Sequence, residues 1–228
     1  MANYDELKVK SLYHYPEHTI AGPLLAECTY PWEALDGLAD FIKKRGARLP
    51  LRDFVRVQED VWIAKTATVA PTAVINGPCI ICDGAEVRHC AFVRGSVIIG
   101  TGAVVGNSTE LKNCILFDGV QVPHYNYVGD SILGYKAHLG AGAVTSNVKS
   151  DKTPVTVSYN GERMETGRKK LGAILGDFVE VGCNSVLNPG TVIGPYTNIY
   201  PLSCVRGFVP ANSIYKASDS IVLKQKKN

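Results

Sequence analysis

The sequence predicts an all-β chain wound as a parallel β-helix of hexapeptide repeats, and three observations predict it. Nine aliphatic residues stand six apart without a slip: Ile63, Val69, Ile75, Ile81, Val87, Val93, Ile99, Val105 and Leu111. Four positions after each comes a small or apolar residue, namely Ala67, Ala73, Cys79, Ala85, Ala91, Val97, Ala103, Thr109 and Ile115. The alternate positions between them hold turn formers such as Pro71, Gly77, Asp83, Gly95, Asn107 and Asn113. A helix cannot use this spacing, because six steps of about 100° carry a side chain off its starting face. A plain strand of period two would bury the turn formers. A short strand, a corner and another short strand put two residues of every six inside.

The elements follow in chain order. Residues 1–56 lie outside the lattice. Within them Pro31 to Gly46 reads as an amphipathic helix, with Trp32, Leu35, Leu38, Phe41 and Ile42 on one stripe. Pro31 in the first turn and Gly46 past the end match the start and stop preferences of helices. This helix is expected to cap the open end of the column, since a bare terminal coil is an adhesive edge. Residues 57–212 form the β-helix. Its lattice returns at Leu175, Val181, Leu187, Ile193, Ile199 and Val205, and shifts phase in between, at Leu133 and Leu139. With three hexads to a coil, roughly seven coils stack about 4.8 Å apart. Two excursions leave the column, one around residues 118–130 and a longer one at 147–172. The second carries Asn160-Gly161 between strand formers, a protruding hairpin, and is rich in lysine and arginine. A solvated loop and a lid over an anionic ligand both fit it. Residues 213–228 read as a solvated C-terminal tail.

Composition narrows the function classes. A net charge of +3 is too small to argue for nucleic acid. No apolar run reaches the ~18–20 residues that cross a bilayer, and the first ten residues lack the apolar core of a secretion signal. A cytoplasmic location is expected, with no membrane or nucleic-acid partner. Seven cysteines, an odd count, point to free thiols in a reducing compartment. Cys79 and Cys82 form a C-x-x-C, but the repeat places Cys79 in the small inward slot, so no metal is expected there.

Arg94 and Lys112 each follow an inward aliphatic and stand eighteen residues apart, one full coil, so the two cations stack on one face. Like charges on neighbouring strands repel. A phosphate between them removes the conflict, and so would ion pairing with Glu110 or contact with Tyr127; both readings stay open here. His124 stands beside Tyr125 and Tyr127. An imidazole near a phosphate-sized cationic pocket is a natural general base.

At these residues the segment VGNSTELKNCILFDGVQVPHYNYVGDSILGYKAHLGAGAVTSN resembles the acetyltransferase half of bacterial glucosamine-1-phosphate acetyltransferase / N-acetylglucosamine-1-phosphate uridylyltransferase. Arg94, Glu110, Lys112, His124, Tyr127, Ala141 and Asn147 carry the match without a gap, and hexads extend it over roughly residues 57–210. The resemblance implies a left-handed β-helix, a homotrimer, and acetyl-CoA as acyl donor in the groove between columns. It implies N-acetylation of an amino-sugar phosphate in nucleotide-sugar precursor synthesis. His124 would be the base and Glu110 would orient its ring. Arg94 and Lys112 would hold the phosphate, Tyr127 and Asn147 would contact the sugar, and Ala141 and Cys183 would face the CoA arm. The first 56 residues carry no Gly-rich nucleotide signature, so uridylyl transfer is not expected of this chain. Departures from the family pattern fall at His138, Cys183 and Pro201, and at the long excursion after Asn147. Two other classes compete. One is a non-catalytic module that binds a sugar phosphate or nucleotide-sugar. The other is a zinc site between columns built on His89, His124 and His138, which lack a closely spaced second pair.

Overall fold

In the computed structural model, which describes residues 4–218 and 220–225, the chain winds into stacked coils with three flat faces. Face one stacks short parallel strands from Thr68–Val69 through Val104–Asn107, Gln121–His124 and His138–Leu139 to Ser213–Ala217. Face two runs from Val74–Ile75 and Phe92–Val93 through the first halves of Glu110–Leu116 and Tyr127–Leu133 to Val144–Thr145, Val186–Leu187 and Cys204–Val205. Face three runs from Val61–Ala64 through Cys79–Ile81 and Val97–Ile99 and the second halves of those two long strands to Phe208–Val209. The predicted inward aliphatics fill the axis: Val87, Val93, Ile99, Val105 and Leu111 are all essentially inaccessible. Each contributes about 1.5–3 kcal/mol by burial.

The coils are not all equal. Ile63, Ile81 and Ile99 pair at intervals of eighteen, but Ile99 pairs with Leu116 and Leu116 with Leu133, intervals of seventeen. One residue is lost at the corner from face two to face three, where Asn113 and Asp130 adopt left-handed φ of 47° and 48°. The strands Glu110–Leu116 and Tyr127–Leu133 therefore run through the corner without a break. Residues 118–130 accordingly do not leave the column. Gln121–His124 is a face-one strand, and Tyr127 begins a face-two strand. The apparent break in the hexads is a shortened corner.

The excursion at 147–172 does form the predicted hairpin. Thr156–Tyr159 pairs with Glu162–Glu165, and Asn160 and Gly161 both have positive φ, as a two-residue hairpin turn requires. It does not protrude freely. Val155, Val157 and Tyr159 are buried against the column, Tyr159 donates to Glu6 Oε2 at 2.5 Å, and Tyr4 donates to Glu162 Oε2 at 2.8 Å. The glutamate beside it holds the Tyr159 phenol up at about 12.

The helix Ala34–Gly46 lies along face three rather than over the open end, touching Cys79–Ile81, Val97–Ile99 and Glu110–Leu116. Its buried stripe is Leu35, Leu38 and Ile42, as the sequence predicts. Gly46 abuts the Trp62 ring so closely that a Cβ would lie 2.3 Å from it. Upstream, the Asp177 carboxylate accepts from the His14 and Tyr135 amides, pinning residues 12–15 to the column. The ends are closed by antiparallel strands instead: Phe54–Gln58 folds back on Val61–Ala64, and Ser220–Leu223 on Ser213–Ala217. The segment after residue 213 thus continues the column, while the last three residues of the lysine-rich end lie outside the described residues.

No two cysteines are joined. Cys79, Cys82 and Cys114 are buried, and burial pushes their thiols up, that of Cys82 to about 12. Cys90, Cys183 and Cys204 are exposed. A thiol reagent at neutral pH is therefore expected to modify Cys90, Cys183 and Cys204 in the folded protein, and Cys79, Cys82 and Cys114 only after denaturation. Mass mapping of labelled peptides checks this.

Candidate active site

Face two presents two outward columns. One is Val74, Phe92, Glu110, Tyr127, Val144, Val186 and Cys204, read directly from the strand register. The other contains Arg94 and Lys112, one coil apart, because the Arg94 amide bonds to the Leu111 carbonyl. The stacked cations predicted from the eighteen-residue interval are therefore real. Their repulsion is relieved by carboxylates within the chain. Arg94 donates to Glu110 Oε1 at 2.8 Å, which raises the guanidinium pKa. Lys112 Nζ lies 3.3 Å from Asp130 Oδ2.

Asp130 organises this face. Its side chain is 4% exposed, and it stands at the shortened corner directly between Asn113 and Asn147, each one seventeen-residue coil away. Asn113 donates to Oδ1 at 2.8 Å and Asn147 to Oδ2 at 2.6 Å. Asn147 also donates to the Tyr127 hydroxyl at 3.2 Å. Burial, and then the charges of Asp130 and Glu110, raise the Tyr127 pKa. Gly129 makes room for that phenol, since a Cβ there would stand 2.4 Å from the hydroxyl oxygen. Arg94, Glu110, Lys112, Tyr127 and Asn147 thus form one connected polar patch, with Asp130 beneath it.

His124 lies off this patch, at the corner where face one turns into face two. There a second ladder runs along the axis. The Tyr125 amide bonds to Asn107 O at 2.9 Å, Gly142 to His124 O at 3.0 Å, Asn184 to Ala141 O at 2.8 Å and Leu202 to Cys183 O at 2.9 Å. Asn107, His124, Ala141, Cys183 and Pro201 consequently rise as one column. The predicted base and both predicted CoA-facing positions share it. The outward Tyr127 and Gly129 positions separate His124 from the cations, and residues two apart on a strand span about 7 Å. Glu110 does not reach the imidazole: its position in the outward column of face two gives its carboxylate to Arg94 instead.

Asn126 fills an inward slot that the repeat otherwise gives to Thr109 and Ala143. It is 2% exposed. Its Oδ1 accepts from the His124 amide at 3.1 Å, and its Nδ2 donates to Gly140 O at 2.8 Å and Ala143 O at 3.0 Å. A buried amide with this many partners fixes the turn that carries His124 to the turn that carries Ala141. The sequence reading missed Asp130, Asn113 and Asn126. The signal for Asn126 was an amide at a small-residue position. That for Asp130 and Asn113 was their interval of seventeen.

Among the described residues no group of three or more His, Cys, Asp and Glu is placed to hold a metal ion. His138 Nδ1 is 2.8 Å from Glu180 Oε2, and His89 Nδ1 is 2.9 Å from the Thr72 hydroxyl.

Residues 75–209 match the family described as the GMPPB C-terminal domain. The chain belongs to that family of hexapeptide-repeat domains, and its column is a left-handed parallel β-helix. Its relatives include the bifunctional protein GlmU of Methanococcus maripaludis, 33% identical over 201 residues, which cover 87% of this chain and 49% of the relative. A bifunctional sugar-1-phosphate nucleotidylyltransferase/acetyltransferase of Sulfurisphaera tokodaii is 33% identical over 73% of this chain and 41% of its own length. The chain spans half or less of these two relatives. The acetyltransferase domain of PglB from Neisseria gonorrhoeae, solved with acetyl coenzyme A, aligns over 72% of this chain and 57% of that one. At 17% identity and a TM-score of 0.32 that likeness is too loose to bear on function. No helix among the described residues is long and apolar enough to cross a membrane.

Proposed function

We propose that the protein is an acetyl-CoA-dependent N-acetyltransferase acting on an amino-sugar phosphate, working as a homotrimer with the donor held between columns. The observation that carries this reading is the placement of His124, Ala141 and Cys183 in one corner ladder beside the cationic patch of face two. The names of the two relatives, which join sugar-phosphate nucleotidyl transfer to acetyl transfer, support it.

The chemistry uses each part. An ammonium is no nucleophile, so the amine must lose a proton before attack. The amine therefore reacts in its neutral form, its ammonium proton having gone to solvent, and the imidazole of His124 accepts the proton that the nitrogen sheds as it bonds to the thioester carbonyl carbon. The C–S bond then breaks, and the imidazolium returns a proton to the departing thiolate. Arg94 and Lys112 hold the non-reacting phosphate across the width of face two, and Tyr127 and Asn147 meet the sugar between. Glu110 and Asp130 hold the two cations in place. The Ala141 and Cys183 turns lie against the CoA arm. Exposed Val74, Phe92 and Val186 on face two supply apolar surface for a neighbouring column.

Thiol release from acetyl-CoA, measured with glucosamine-1-phosphate and a panel of amino-sugar phosphates and nucleotide-linked amino sugars, tests the proposal. Release with at least one acceptor is expected. Arg94→Ala and Lys112→Ala should raise the KM for that acceptor with little change in kcat, because they grip a group that does not react. Binding of the sugar phosphate without thiol release from any acceptor would instead establish a non-catalytic module.

A further inference from the structure

A second cationic hollow lies farther along face two, walled by the excursion that interrupts the repeat. It is a cleft of about 550 Å³ between residues 146–163 and the last coils, with Lys149, Arg163 and Arg206 against one carboxylate, Asp151. Lys149 is already engaged by Asp151 and Thr153. Arg163 and Arg206 have no ion-pair or hydrogen-bond partner for their side chains among the described residues. Both line the same cleft, and the backbone near each meets Ser158. Ser158 pairs directly with Arg163 across the hairpin, and Gly207, next to Arg206, abuts the Ser158 carbonyl. A Cβ at Gly207 would stand 2.7 Å from that oxygen, and one at Gly190 2.6 Å from the Thr156 carbonyl. Both glycines have left-handed φ, so two positions of the column are shaped to receive the hairpin strand. The hairpin is thereby fixed against the coil that carries Arg206, with Arg163 lining the same cleft.

Two guanidiniums share this cleft with a single carboxylate, Asp151, that is already paired with Lys149, and a bound anion would offset the excess positive charge. Planar forks suit paired phosphate oxygens, and the hydroxyls of Ser146 and Ser158 on the same cleft add donors. We propose that this cleft is an anion site separate from the Arg94–Lys112 patch, and that it takes the diphosphate of a nucleotide-type ligand. The diphosphate could belong to a nucleotide-linked acceptor or to the ADP portion of coenzyme A; the chemistry recognised is the same. Binding is read without turnover, so the outcome does not depend on the transfer reaction.

The test is calorimetric titration of the full chain with inorganic pyrophosphate, then with ADP, UDP and GDP. Wild type should bind pyrophosphate, more weakly as salt rises. The Arg163→Ala, Arg206→Ala double variant should bind about tenfold to a hundredfold more weakly, with an unchanged melting temperature because both side chains are exposed. Lys44→Ala, at an exposed lysine of the helix Ala34–Gly46 that belongs to neither patch, should bind pyrophosphate as wild type does. Displacement of pyrophosphate by coenzyme A and ADP alone assigns the cleft to the donor, and displacement by UDP or GDP to the acceptor; either supports the site. Equal affinity in the double variant, no binding by wild type, or pyrophosphate that no nucleotide displaces would each overturn the proposal.

Discussion

The His124→Ala variant is expected to lose about 10²–10⁴-fold in transfer rate, the range a positioned general base supplies. The loss should fall on kcat, since the imidazole contacts the reacting amine and not the phosphate that gives the acceptor its affinity. Stability should barely change. The side chain is exposed, makes no hydrogen bond among the described residues, and stands at a corner whose backbone bonds, from His124 N to Asn126 and from Gly142 N to His124 O, survive truncation. The measurement is thiol release under saturating acetyl-CoA, alongside a melting curve and the mass of the assembly in solution. A variant that keeps full rate would remove His124 from the mechanism. One that loses rate together with its fold would move the role to the corner itself, where Asn126 is the member that ties His124 to the Ala141 turn.

How much of this was legible in the sequence depends on which interval is read. The six-residue lattice from Ile63 to Leu111 gave the faces, the axis and the stacking of Arg94 on Lys112, because each of these follows from a fixed step. Past Leu111 the step changes. The next inward position on face three is Leu116, five residues on rather than six, and the same shortening recurs from Val128 to Leu133. A template of sixes reads that as a departure from the column, which is why the strand Gln121–His124 and the start of Tyr127–Leu133 fall within the excursion expected around residues 118–130. Asn113 and Asp130, which accept left-handed backbone more readily than most residues, are the marks of the tight corner. The patch under Lys112 was hidden for the same reason. Asp130 meets Asn113 and Asn147 only when the coil is counted as seventeen. The flanking position of the helix Ala34–Gly46 is a different failure: its apolar stripe says that it packs, not on which surface.

The shortened corner also makes Asp130 the residue outside the motif whose loss should matter most to the acceptor. Three donors converge on its carboxylate, from Lys112, Asn113 and Asn147. Asp130→Asn keeps the size and tolerates the φ of 48°, so it removes charge and one acceptor without straining the corner. Its amide nitrogen must then face one of those donors, an unsatisfied contact costing about 1–3 kcal/mol. Lys112 is 28% exposed and can turn to water, which holds the stability loss to the lower part of that range. The positional loss is not softened in this way, because Lys112 and Asn147 would no longer share an anchor. The expected result is an acceptor KM raised about tenfold or more, with the KM for acetyl-CoA and kcat close to wild type. A generally weakened column would instead raise both KM values and lower the melting temperature by many degrees. Steady-state kinetics in each substrate, with the acceptor that the thiol-release panel identifies, separates the two. An unchanged acceptor KM would leave Asp130 as corner chemistry alone, with Arg94 and Lys112 gripping the phosphate without that anchor.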